Sequence, residues 1–393
     1  MSIASTPDAI RQTDPKAWAV ALRRHFHQHP EIGLKEIDTQ ATVQECLSGL
    51  GVAHRPVGGT GVEGTIRGGE DGPVLMLRAD MDALPVTEEN DVPYASTRPG
   101  LMHACGHDGH MAVLLAATRR LAEAGVPRGT VKTVFQPGEE GFRGAEKVID
   151  DGVLEAPAVD GAFGLHLWRD LQVGQVAILD GPCMAAVDVF DITISGVGGH
   201  AAMPNQAVDP VVIAAHVTTA LQTVVSRQVD PIDTAVVTVA AVESGTGHNI
   251  IPPSATLRGT CRTFTAETRA LVHRRVEEIA RGVAESLGGS ATIDYVEFLP
   301  ATVNDPGMAA LVRDAAAAVV GPQNVVEARP SMGGEDMSLY LEKVPGCFAF
   351  VGLRNEDRGI THTHHHPRFD MDEDCLAIGA DLMVEVARRF LAR

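Results

Sequence analysis

Apolar residues recur along this chain with spacings that predict alternating helices and strands. In residues 14–29, Trp18, Leu22 and Phe26 share one helical face; Asp14 can cap the start, Pro15 suits the first turn and Pro30 ends the segment. Nearly unbroken apolar runs at 74–79, 130–135 and 162–165 read as buried strands, with a helical stretch at 111–124. Strands that alternate with helices imply an α/β fold, in which a mainly parallel sheet is flanked by helices on both faces.

After Gly181 the pattern changes. A strand at 187–195, a helix at 208–226, strands at 234–242 and 255–263, a helix at 267–287 and a strand at 292–298 follow in turn. That β-α-β-β-α-β order is the split arrangement of a ferredoxin-like α+β domain. The first style resumes at Pro306, passes through an apolar run at 347–352 and closes in an amphipathic helix at 373–391. The predicted organisation is one domain of residues 1–184 and 299–393, interrupted by an inserted domain of residues 185–298. A length of 393 residues, too great for one ordinary core, agrees with two domains.

Charge narrows the function. Lys and Arg number 32 against 51 Asp and Glu, a net charge of −19, and the basic residues form no cluster. No phosphate-neutralising surface is expected, and therefore no nucleic-acid partner. The six cysteines are scattered without a C-x-x-C pair, which argues against a disulfide scaffold or structural zinc knuckle and points to a reducing cytoplasm. Asp8, Arg11, Asp14 and Lys16 interrupt the opening residues, so no signal peptide is expected; no apolar run of roughly 18 residues is present to span a membrane.

Polar groups follow the predicted strands. The run at 74–79 leads into Asp80-Met81-Asp82, the run at 130–135 into Glu139-Glu140, and the run at 162–165 into His166. In open α/β sheets ligands bind beyond the carboxyl ends of the strands, so these groups are expected to converge. Cys105-Gly106-His107 adds a thiol and an imidazole two residues apart, and His362-Thr363-His364-His365-His366 supplies more imidazoles. Thiolate, imidazole and carboxylate together suit zinc, manganese, cobalt or nickel better than calcium or magnesium. Of two adjacent glutamates, one can bind metal while the other takes a proton from water. Taken singly, each signal has a plain structural explanation: the Glu pair as solvated surface, the aspartates as turn caps, the histidine run as a charged loop. A cysteine nucleophile with His107 as base would leave the Glu pair without a purpose.

Three segments carry a family likeness: Arg78-Ala79-Asp80-Met81-Asp82-Ala83-Leu84-Pro85, the HACGHDGH run of residues 103–110, and Phe135-Gln136-Pro137-Gly138-Glu139-Glu140-Gly141. Together they resemble the M20 peptidase family, specifically the amidohydrolase branch of hippurate hydrolases, N-acyl amino acid amidohydrolases and plant auxin-conjugate hydrolases. The likeness extends over nearly the whole chain. It implies a two-metal, exopeptidase-like catalytic domain, with the insertion serving as lid and dimerisation domain. By the same resemblance Cys105, His107, Glu140, His166 and His365 bind two divalent metal ions, with Cys105 bridging. His365 is chosen within the late run because it lies two residues before Pro367, ahead of Phe369-Asp370.

The catalytic set implied is Glu139 as the base that takes a proton from water, Asp82, and His200, whose Gly198-Gly199-His200 segment resembles one that reaches a neighbouring subunit's active site. Other branches of the family carry His-x-Asp where this chain has Asp80-Met81-Asp82, so Asp80 and Asp82 are read as groups that orient imidazoles or balance charge. Asn249 and Arg262 resemble positions that hold the substrate carboxylate, a task suited to a guanidinium, and Gly334 a loop near the leaving amino acid. Arg262 could instead pair with a structural acid. The expected activity is hydrolysis of N-acyl-L-amino acids by a cytoplasmic homodimer, with a carboxypeptidase or dipeptidase as the alternative.

Overall fold

Asp14 accepts the Ala17 amide at 2.9 Å, which satisfies a donor left free at a helix start, while Pro15 has no amide to satisfy. Helix α1 (Pro15–Gln28) follows and buries Trp18, Leu22 and Phe26. The structure, a computed structural model, describes residue 10 and residues 12–393, the Phe142 side chain excepted; Asp8 and Arg11 of the opening segment lie outside the described residues. Two units emerge. One comprises Met1–Gly181, Val303–Arg329 and Asp336–Arg393, the other Pro182–Thr302 and Pro330–Glu335.

The first unit continues with α2 (Ile37–Gly49), β1 (Ala53–Val57), β2 (Gly61–Arg67), β3 (Glu70–Asp80), α3 (His107–Ala124), β4 (Arg128–Gln136), β5 (Gly161–Gln172) and β6 (Val176–Ala177). The second unit contains β7 (Ala186–Ser195), β8 (Gly199–His200), α4 (Pro210–Arg227), β9 (Ala235–Ser244), β10 (Ile250–Ile251), β11 (Ser254–Thr263), α5 (Ala266–Ser286) and β12 (Ser290–Leu299). The chain then returns to the first unit with α6 (Pro306–Val320), β13 (Val325–Val326), β14 (Gly346–Arg354) and α7 (Asp374–Leu391).

The first unit's eight-stranded sheet runs β1-β2-β4-β3-β5-β14-β6-β13. Its centre is parallel, β4 against β3, β3 against β5 and β5 against β14, as the apolar runs predicted. The hairpin β1–β2 adds an antiparallel edge that the sequence reading did not anticipate, since Ala53–Val57 is mostly exposed and shows no apolar run. Trp18 and Phe26 of α1, Leu114 and Leu115 of α3 and Val386 and Phe390 of α7 join the sheet's Leu75 and Leu77 in one core.

In the second unit the antiparallel order β9-β11-β7-β12 is that of the split β-α-β-β-α-β arrangement. Along β7, Phe190, Ile192 and Ile194 are buried against the α4–α5 core while Val189, Asp191 and Thr193 are exposed, the alternation a one-sided sheet requires. The unit is wider than residues 185–298 because Pro330–Glu335 belongs to it. The Ala185 amide meets the Ser331 and Gly333 carbonyls at 3.0 Å each, and a Cβ on Gly334 would stand 2.3 Å from Val187. Gly334, expected with the large domain, is therefore packed in the second unit. Among the described residues no helix is long and apolar enough to cross a membrane.

A buried ion cluster ties α1 to the start of α3. Arg23 Nε donates to Asp108 Oδ2 at 2.9 Å and Nη2 to Asp370 at 2.7 Å; His27 Nδ1 lies 2.8 Å from the same Asp108 oxygen and Nε2 3.1 Å from Glu88. Burial would raise the Asp108 pKa, but Arg23 and His27 hold it well below the usual 3.8. Burial and Arg23 would lower the His27 pKa, but Asp108 and Glu88 hold it above 6.5. Asp108 therefore adds stability above pH 3.8 that is lost as pH falls through its folded pKa, and His27 adds stability below pH 6.5 that is lost as pH rises through its own. Asp108→Asn should lower the unfolding free energy by about 3–5 kcal/mol near pH 6 and flatten the acid limb of a urea-midpoint-against-pH curve. An acid limb as steep as the wild type's would refute this assignment.

Candidate metal centre

Strand β3 ends in Asp80 and runs on through Met81 to Asp82. The Asp82 carboxylate accepts the Glu139 amide on Oδ1 at 3.0 Å and the Glu140 amide on Oδ2 at 2.9 Å, so it fixes the turn that follows β4. Gly138, at φ +60, makes that turn, and its amide donates to the buried Glu36 at 2.9 Å. Backbone amides thus hold the Glu139-Glu140 pair from two sides. Asp82 was expected among the catalytic groups; its contacts are those of a residue that positions the pair.

Gly106, at φ +92, lies just ahead of α3 between Cys105 and His107, a conformation that a residue with a Cβ rarely adopts. His107 Nδ1 is 2.8 Å from the Asp82 carbonyl, and His166 Nδ1 is 2.9 Å from the Leu167 carbonyl. A carbonyl only accepts, so each Nδ1 carries a proton and Nε2 is the nitrogen left to bind a metal ion. His166 Nε2 lies 3.5 Å from Cys105 Sγ. His166 was expected where its strand ends, yet β5 continues to Gln172, because β14 pairs with it through His166 and beyond. Only the β3 side of that ladder stops early, at Gly164.

Within the late run, His365 Nε2 lies 3.1 Å from Glu140 Oε1, an oxygen that is buried and has no aligned hydrogen bond. His365 holds φ +65, secured by its amide donating to the Ala104 carbonyl at 2.7 Å. The neighbours are engaged elsewhere. His364 Nε2 meets the Leu167 carbonyl at 3.0 Å, His366 Nδ1 accepts the Arg368 amide at 2.9 Å, and His362 stacks on His366.

Ligand-type atoms of Cys105, His107 and His166 lie within 4.8 Å of one another, as do those of Cys105, Glu140 and His365, and those of His107, Glu139 and Glu140. Cys105 is common to the first two groups. Its desolvation and then Glu140 and Glu139 push the thiol well above its usual range, so a thiolate there needs a cation beside it. Burial would lower the His107 pKa, but Asp80 and Asp82 raise it to about 10. Burial raises the Glu140 pKa, yet His365 and His107 bring it below the usual value. A soft sulfur, imidazole nitrogens and carboxylates in surplus of fixed cations fit one or more divalent transition-metal ions.

Beneath lies a network of which the sequence reading had assigned only Asp80, as a group that orients imidazoles or balances charge. Arg78 donates to Asp80 and Asp336, each at 2.8 Å, and to Gln136 at 2.9 Å; Gln136 Nε2 and the Ala145 amide also reach Asp336. Burial holds the Asp336 pKa up at about 6 even with Arg78 alongside. His110 Nδ1 is 2.6 Å from Asp80. The available signal was an arginine ending an otherwise apolar strand run, which requires a buried acid.

His200, Asn249, Arg262 and Gly334 belong to the second unit. There β8 pairs with β10, His200 opposite Ile250, so His200 and Asn249 are neighbours, and the Ala201 amide donates to the Asn249 carbonyl at 3.1 Å. Both side chains are exposed. Arg262 is half-buried on β11, donates to Thr260 and to the Cys261 carbonyl, and pairs with no described carboxylate.

A mostly parallel sheet with thiol, imidazole and paired carboxylates gathered at one place, in a chain that also carries a separate antiparallel unit, presents a site with the donor set of a divalent metal centre. Residues 76–389 match peptidase family M20/M25/M40, and the chain belongs to that family, as a hydrolase of the M20 amidohydrolase type. It is 41% identical over 380 residues to the IAA-amino acid hydrolase ILR1-like 4 of Arabidopsis thaliana, covering 95% of this chain and 86% of that protein. It is 40% identical over 374 residues to the N-acetyl-L-cysteine deacetylase of Bacillus subtilis, covering 95% and 88%. A Bacillus subtilis crystal structure described as a dinuclear metal-binding peptidase of the M20 family superposes with a TM-score of 0.84 at 35% identity, covering 96% of this chain and 99% of that one.

Because Asp82 grips the Glu139-Glu140 turn, Asp82→Ala should weaken retention of bound metal about 10- to 100-fold, read by elemental analysis after dialysis against graded chelator. Wild-type retention would show that the turn stands without it.

Proposed function

We propose that this enzyme hydrolyses the amide bond of N-acyl-L-amino acids, hippurate-like compounds among them, to a carboxylic acid and a free amino acid. The observation that carries the reading is the sharing of Cys105 Sγ between two ligand groups, with the Glu139 carboxylate beside His107 and Glu140. Cys105, His107, Glu140, His166 and His365 would hold two divalent ions, Zn, Mn, Co or Ni, with Cys105 as the bridge. When bound, such ions make hydroxide accessible near neutral pH and stabilise charge that develops on an amide oxygen.

Glu139 takes a proton from the attacking water and passes it to the departing nitrogen, serving as base and then as acid. Asp82 keeps Glu139 and Glu140 at their stations through the two amides it accepts. Arg262, a guanidinium with no ion pair among the described residues, and Asn249 would receive the substrate carboxylate, and Gly334 would lie near the released amino acid. His200, exposed on a short strand, would reach the site of a partner subunit and donate to the oxyanion, which makes the inserted unit both lid and dimerisation domain. Names of relatives that act on an amino acid conjugate and on N-acetyl-L-cysteine support the substrate class. A cytoplasmic setting, where thiols stay reduced, suits a site centred on Cys105, one of six free cysteines.

Glu139→Gln should retain its metals and lose turnover by about 10² to 10⁴. Near-normal rates on hippurate or N-acetyl amino acids would exclude Glu139 as the base. In a panel that adds dipeptides, the N-acyl compounds should give the higher kcat/KM; the reverse order would make the enzyme a dipeptidase. Mixing inactive His200→Ala and Glu139→Gln subunits should restore part of the rate through dimers with one intact composite site. No recovery in verified mixed dimers would remove His200 from the partner's chemistry.

A further inference from the structure

Three histidines meet on one peptide residue, Leu167, and only one of them is among the five ligands proposed above. Leu167 is fully buried in β5. Strand β3 pairs with β5 only as far as Gly164, so the amides of β5 beyond that point have no β3 ladder to enter. The Leu167 amide donates instead to His110 Nε2 at 2.9 Å. An amide can only donate, which requires a bare Nε2 on His110 and places its proton on Nδ1, 2.6 Å from Asp80 Oδ1. The Leu167 carbonyl accepts from both His166 Nδ1 at 2.9 Å and His364 Nε2 at 3.0 Å. His166 is thereby enclosed between two rings set almost perpendicular to its own, His110 at 4.6 Å and 77° and His364 at 5.0 Å and 85°.

We infer that His110 and His364 are positioning residues that aim His166 at its metal ion, acting through the two ends of the Leu167 backbone. His110 anchors the amide side to Asp80, which Arg78 in turn holds at 2.8 Å. His364 anchors the carbonyl side and is the chain neighbour of His365. One peptide residue thus links a ligand of the Cys105–His107–His166 group to the segment that supplies a ligand of the Cys105–Glu140–His365 group. Polar partners that fix a ligand's tautomer and orientation ordinarily tune metal affinity by about 10- to 100-fold.

The inference rests on the metal-site reading above, and a cobalt(II) titration of the full-length apoprotein separates the two. Wild type should take up two cobalt ions and develop visible absorption, with thiolate-to-metal charge transfer from Cys105, and His166→Ala should lose one ion. If wild type fails to bind two ions, or His166→Ala still binds both as tightly, the metal-site reading falls and takes the inference with it. Where those controls hold, His110→Phe should weaken one binding step about 10- to 100-fold and shift the cobalt spectrum. His110→Gln, whose side-chain carbonyl can accept the Leu167 amide, should recover most of that loss. A His110→Phe titration and spectrum identical to wild type, or a His110→Gln as weak as His110→Phe, overturns the role of His110. Should His110→Phe not fold, the pair His364→Leu and His364→Gln decides in the same way. Gln can still donate to the Leu167 carbonyl and should bind as wild type does, whereas Leu should not; equal binding by the two overturns the inference.

Discussion

The site depends first on one carboxylate, Asp82. Its two oxygens take the amides of Glu139 and Glu140, and its own carbonyl takes the proton of His107 Nδ1. Those three bonds join the end of β3, the turn after β4 and the first residue of α3, elements that no local sequence rule brings together. A carboxylate that accepts two amides is a strong, directional anchor because the bonds are charge-assisted and both acceptor oxygens are used. It keeps the backbone of both glutamates in place.

Burial makes the same region electrostatically expensive. Asp80, Asp82 and Asp336 are buried, with Glu139 and Glu140 alongside, and Arg78 is the guanidinium shared between Asp80 and Asp336. Desolvation at this depth favours the uncharged form of an acid unless donors or cations face it. For Asp80 that opposition succeeds: His107, His110 and Arg78 bring its pKa well below the usual value despite burial. For Asp336 it does not, and for Cys105 desolvation and neighbouring acids act in the same direction. The centre therefore sets Asp80, whose charge the protein's own cations balance, against Cys105, whose thiolate calls for an external cation. That division is the physical ground for reading a metal centre rather than a buried ion-pair network.

Legibility followed how local the determining forces are. Helix α1 was readable to within a residue because Asp14, Pro15 and the Trp18–Leu22–Phe26 stripe all act within the segment, and the central strands were readable because parallel strands buried on both faces carry unbroken apolar runs. The β1–β2 edge and the β8–β10 ladder are short or exposed, and tertiary pairing rather than pattern creates them. Single residues divided in the same manner. Cys105, His107 and the Glu pair stood out by chemical type, whereas Glu36, Gln136 and Asp336 are ordinary polar residues that acquire meaning only through partners up to 258 residues away. The fate of Pro330–Glu335 was illegible for that reason: its placement rests on the Ala185 amide and on the missing Cβ of Gly334.

His365 completes the picture because it shows strain concentrated where ligands assemble. A non-glycine residue at φ +65 costs on the order of 1–3 kcal/mol and persists only when its surroundings over-determine it. Here the determinants are visible: the amide is fixed on Ala104, one residue before Cys105, and the preceding side chain is fixed on Leu167, one residue after His166. Both anchors sit beside other metal-ligand candidates, so the late segment is positioned by the parts of the chain whose site it completes. A loop alone could not aim His365 within a few ångströms of Glu140; a loop stitched to the backbone neighbours of Cys105 and His166 can, and the rigidity of the parallel sheet beneath is thereby transmitted to a residue that lies outside any helix or strand.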